Sequence, residues 1–79
     1  MISSGFDQPA KYCITVASYL DVGWVNYVHG MTIENHRDRE RPVATVTGHL
    51  PDQAALLGVL NVLYDGHITV LAVERLSQD

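Results

Sequence analysis

Between residues 12 and 18 the chain alternates. Tyr12, Ile14 and Val16 fall on one side of an extended backbone, and Cys13, Thr15 and Ala17 on the other. A period of two in a run of β-branched and aromatic residues predicts a strand. Residues 31–36 predict a second, with Met31 and Ile33 inward, and residues 43–47 a third. The stretch between these two, from Arg37 to Pro42, is short and charged, so they are expected to pair as an antiparallel hairpin. Residues 68–73 are apolar on both sides and predict a fourth strand.

After Pro51 the period changes. Asp52 places an acceptor where the first amides of a helix lack partners. Asp65-Gly66 marks the end, with Gly66 expected in the left-handed conformation that closes helices. On a helical projection Leu56, Leu60 and Leu63 form the centre of the apolar face. Leu57 and Tyr64 flank it on one side, and Val59, Ala55 and Val62 on the other. The arc spans roughly 220°, where a helix lying on a sheet needs little more than about 100°.

Residues 21–30 are more ambiguous. Asp21 can cap a helix, and Leu20, Trp24 and Val28 are spaced by four, but Gly23 and the β-branched Val22, Val25 and Val28 weaken it. The segment reads as a helix of about two turns stopped by Gly30, or as an irregular loop pinned by Trp24. The element order β-α-β-β-α-β predicts a ferredoxin-like α+β fold: a four-stranded antiparallel sheet with one short and one long helix on one face. Residues 1–11 are expected to be a flexible lead-in, 12–76 one domain and 77–79 a tail.

Composition narrows the class. Apolar residues make up 47% and charged residues 18% of 79, which is the balance of a folded domain and not of a disordered tail. A net charge of −4 argues against nucleic acid, because phosphate binding relies on clustered Lys and Arg. Arg37, Arg39 and Arg41 do cluster, but Asp38 and Glu40 lie between them. No apolar run reaches the ~18 residues that would suggest a membrane span. The first dozen residues lack the basic and apolar regions of a signal peptide. A single cysteine, Cys13, suits a reducing compartment, so a cytoplasmic protein is expected.

Candidate chemistry is sparse. His29, His36, His49 and His67 lack the spacings that build a metal site, and no metal or cofactor is expected. Cys13 on a strand reads as a small hydrophobe. No paired carboxylates share an element, and no nucleophile or phosphate-loop motif occurs, so no catalytic residue stands out. The sheet face away from the helices should carry Cys13, Thr15, Ala17, Thr32, Glu34, Val43, Thr45 and Thr47. That face lacks the aromatics of an RNA-binding sheet and suits partly buried contact with another sheet.

The surplus apolar arc points to self-association, since leaving Leu or Val in water invites a partner. The expected homodimer contact comprises Ala55, Leu57, Val59, Val62 and Tyr64 on the helix, with Thr45 and Thr47 on the sheet. A second candidate is a metabolite pocket at Asp21, Trp24, Tyr27 and His29.

The stretch Gly48, Leu50, Asp52, Gln53, Ala54, Ala55, Leu56, Gly58 and Leu60, continued by Asp65, Val73 and Glu74, resembles a group of small stand-alone, uncharacterised bacterial proteins. Their core reads G-x-(L/V)-x-D-Q-A-A-L-x-G-x-L, and Leu20-Asp21, Trp24 and Gly30 are similar to its earlier part. Asp65-Gly66-His67 departs from it, where those proteins carry Leu-Gly after the Asp. The resemblance implies a compact α+β domain and no particular activity. The element order is also similar to amino-acid-binding domains of the ACT type, with Leu20-Asp21-Val22-Gly23 in the place of their ligand loop. The leading expectation is a non-catalytic interaction or regulatory module acting as a homo-oligomer. The alternatives are a small-molecule binder and a small isomerase or cyclase using a histidine base.

Overall fold

The alternation that begins the sequence pattern becomes a central strand. The computed structural model describes residues 9–77. In it β1 spans Ala10–Val16, with Ala10, Tyr12, Ile14 and Val16 buried and Lys11, Cys13 and Thr15 half-buried. The strand therefore starts two residues before Tyr12. Of the lead-in expected over residues 1–11, residues 1–8 lie outside the described residues, while Ala10 and Lys11 belong to the sheet.

Among the described residues three more strands join the sheet: β2 (Thr32–Asp38), β3 (Arg41–Leu50) and β4 (Val70–Ser77). All pairs are antiparallel, in the order β2-β3-β1-β4, so β2 and β4 form the edges. Ile14 sits between Val46 on β3 and Val73 on β4, and these three share the face that carries the helix. At one end Lys11 pairs with Ser77, bringing the entry into β1 beside the exit from β4.

The charged connection expected over residues 37–42 is much shorter. β2 runs to Asp38, β3 begins at Arg41, and only Arg39 and Glu40 turn the corner, with φ of 55° and 68°. Positive φ at both central residues is the two-residue turn whose twist matches a hairpin. Usually Asn-Gly fills it, which is why the sequence concealed it. Pro42 is tolerated in β3 because β1 stops at the level of Ala44 and leaves that stretch with one neighbour.

Helix α1 (Gln53–Asp65) forms where the pattern places it, with Asp52 as its cap, the Oδ1 atom accepting from the Ala55 N–H at 2.9 Å. Val59 and Leu63 are its fully buried residues, and Ala55, Leu56 and Leu60 pack beside them. Below them lie Ile14, Val16, Val46 and Leu50, with Leu20 and Val28 closing the side. The helix does not end on a left-handed glycine. Gly66 has φ −85°, and the left-handed residue is His67 at 63°.

The ferredoxin-like expectation of two helices is corrected. Between β1 and β2 the chain makes a six-residue 3-10 segment, Val22–Tyr27, none of whose residues is buried. Asp21 caps it, accepting from the Gly23 N–H at 3.0 Å. Gly23 and the β-branched valines disfavour an α-helix there, and a 3-10 turn covers the same distance in fewer residues. The architecture is α+β: one four-stranded antiparallel sheet and, among the described residues, one α-helix.

Candidate functional site

The two edges of the sheet differ in chemistry. β2 presents Thr32, Glu34, Asn35, His36, Arg37 and Asp38 to solvent, with Ile33 alone apolar. β4 presents Leu71, Val73 and Leu76, which are 56%, 41% and 49% exposed, together with the exposed Ala72, Glu74 and Arg75. Among the described residues only β1 pairs with β4, so no described strand occupies its outer row of N–H and C=O groups. Its register slips twice against β1, leaving Leu71 and Leu76 without direct partners and a regular run from Ala72 to Arg75 between them.

The apolar surface continues from β4 onto α1. Tyr64, in the last turn of the helix, is 78% exposed. Together with Asp65, His67, Ile68, Thr69 and Val70 it lines an open groove of about 610 Å³ that leads into the start of β4. Leu57, 56% exposed, lies further along the same helix.

The interface residues expected from the helical projection separate into two groups. Leu57 and Tyr64 are exposed, and Thr45 and Thr47 are half-buried on the open sheet face. Of the Ala55–Val62 flank, Val59 is fully buried within the domain and Ala55 and Val62 are half-buried. As the one α-helix among the described residues, α1 turns Val59 and Leu63 into the core.

A second concavity lies beside the 3-10 segment, where Asp21, Gly23, Trp24, Asn26 and Tyr27 line about 450 Å³. Trp24 and Tyr27 meet edge-to-face, their ring centroids 6.3 Å apart and their planes at 70°. Asp21, Trp24 and Tyr27 thus share one cleft. His29 follows it, in a left-handed conformation (φ 57°), and is not among the lining residues.

The remaining histidines are dispersed. His36 lies near the hairpin end of β2, with Nε2 3.3 Å from Thr45 Oγ1 and 3.9 Å from Glu34 Oε1. At 47% and 66% side-chain exposure that pair is screened by water. His49 shares a shallow groove on the open face with Lys11, Thr32, Glu34, Thr47 and Gly48. Among the described residues, no three His, Cys, Asp or Glu side chains converge as a metal site would need. Cys13 is half-buried on the same face.

Asn35 was missed by sequence reasoning. Its Oδ1 accepts from the Leu20 N–H at 2.9 Å, and its Nδ2 donates to the Leu20 carbonyl at 3.0 Å. The side chain imitates a strand partner and ties the loop after β1 to β2. The signal was its parity: although exposed, Asn35 shares the helix-bearing face of β2 with Ile33, where an apolar residue would be ordinary.

A family model described as a domain of unknown function (DUF8691) matches residues 11–74. The chain belongs to this family. The matched segment of the DUF8691 domain runs from Lys11 in β1 to Glu74 in β4, so it holds the helix, both central strands and the regular run of the apolar edge as far as Glu74. No curated protein and no solved structure matches the chain. No helix among the described residues is long and apolar enough to cross a membrane.

Proposed function

We propose that this DUF8691 domain is a non-catalytic interaction module that works as a homo-oligomer through its β4 edge. The observation that carries the reading is the asymmetry of the sheet: one edge almost wholly polar and charged, the other with Leu71, Val73 and Leu76 exposed around one Glu-Arg pair, beside backbone groups that no described strand pairs. A free apolar edge strand is a template for another strand, and an identical copy supplies one that is self-complementary about a two-fold axis. Tyr64 extends the apolar surface beyond the strand, through the groove it shares with Ile68 and Val70.

Light scattering at micromolar concentration tests this. A dimer is expected, and Leu71→Lys is expected to dissociate it while leaving the circular dichroism spectrum unchanged. A wild-type monomer overturns the reading, and a dimer indifferent to Leu71→Lys overturns the assignment to β4.

The cleft beside Trp24 favours a second reading, as a binder of a small metabolite held between the two rings and Asp21. A thermal-shift screen against amino acids and common metabolites tests it: a rise in melting temperature abolished by Trp24→Phe or Tyr27→Ala supports a site there. No stabilising ligand counts against it.

A further inference from the structure

Resting on the β4 reading above, we infer that two copies join antiparallel with Val73 of one facing Val73 of the other, giving one continuous eight-stranded sheet. The register follows from parity, overlap and charge. Val73 lies on the helix-bearing face, because it pairs with Ile14, and Glu74 lies on the open face, because it pairs with Cys13. A two-fold axis perpendicular to the sheet keeps each face on its own side, so the axis must pass a residue and not the gap between two. Within the regular run Ala72–Arg75, axes at Val73 and at Glu74 each pair three positions on each copy, whereas axes at Ala72 or Arg75 pair one.

Charge then separates the two long registers. An axis at Glu74 sets carboxylate against carboxylate in adjacent strands, an arrangement that destabilises a sheet pair. An axis at Val73 sets Val73 on Val73 and Glu74 opposite Ala72, and leaves Arg75 beyond the last regular pair. No two like charges stand directly opposite, the two Glu74 side chains being displaced to the diagonal. The slips at Leu71 and Leu76 confine regular pairing to the run between them, which stops the edge from recruiting strands in many registers.

Cysteine cross-linking reads the register directly. In a Cys13→Ser background, Val73→Cys places the two thiols on directly opposed residues, whose Cα atoms stand about 4.5–5.5 Å apart, within disulfide reach. Under the same register two cysteines from Glu74→Cys are displaced by two residues along the strand, about 8 Å apart and beyond reach. Mild oxidation is expected to convert most of the Val73→Cys protein to a covalent dimer, and little of the Glu74→Cys protein. The double variant Ala72→Cys/Glu74→Cys is expected to link as well. Efficient linking of Glu74→Cys with none of Val73→Cys overturns the register while a dimer in light scattering keeps the β4 reading. A dimer in which none of the three links overturns both, as does a monomer.

Discussion

Trp24 lies so close to Gly66 that a Cβ built on the glycine would stand 2.6 Å from the indole Cη2 atom. The 3-10 segment after β1 and the end of α1 are thereby held together across 42 residues of sequence by one ring and one missing side chain. Because Gly66 has an ordinary negative φ, room and not backbone freedom is what requires glycine there. Gly66→Ala is expected to lower stability by about 1–3 kcal/mol through overpacking, measured by urea denaturation. Trp24→Leu combined with Gly66→Ala should lose less than the sum of the two, because the clash is shared.

Asn35 makes a different kind of tie. Asn35→Ala leaves the Leu20 N–H and C=O without their partner and is expected to cost about 1–3 kcal/mol. Asn35→Asp keeps the acceptor but turns a carboxylate oxygen towards the Leu20 carbonyl. Folding then favours the protonated acid, so the variant's stability should fall as pH rises through the raised folded-state value. Denaturation midpoints from pH 4 to pH 8 that fall no more than the parent's would contradict this geometry.

Tyr12 is 3% exposed, and its hydroxyl has no hydrogen-bond partner among the described residues. Removing an unpaired buried hydroxyl relieves a desolvation cost. Tyr12→Phe should therefore leave thermal stability unchanged or raise it, by about 1 kcal/mol at most. A loss of more than that in a calorimetric scan would show that the hydroxyl is bonded.

The hairpin turn offers a gain. Arg39 and Glu40 both hold positive φ, a conformation that costs an L-residue with a Cβ roughly 1–2 kcal/mol. Arg39→Asn with Glu40→Gly is expected to stabilise the domain by about 1 kcal/mol, a rise in Tm of roughly 4–8 °C. No rise would mean that the charged pair already compensates for the strain.

What the sequence made legible was local. Alternation at Tyr12, Ile14 and Val16 and the Asp52 cap needed only neighbouring residues to be read, and both formed as expected. Three features depended on distant partners. The Arg39-Glu40 turn has none of the residues that announce its geometry; the length of the β2–β3 ladder imposes it. Gly66 carried a recognisable helix-stop signal, but the reason for glycine lies in Trp24. Val59 was placed on the flank of the apolar arc because a projection gives the width of a helix face and not its heading. With α1 the one α-helix among the described residues, the heading changes. The spacing of Leu20, Trp24 and Val28 did mark anchors, since Leu20 and Val28 are buried and Trp24 packs against the core. It was the helix drawn through them that failed.

The pairing of Lys11 with Ser77 sets entry and exit of the sheet on adjacent strands. A short Gly-rich tether could join the two, and the chain could be reopened at Arg39-Glu40, giving a circular permutant with the same four-stranded order. The same adjacency lets the whole unit be spliced into a surface loop of a host protein without prising the host's ends apart, which makes the domain a portable insert.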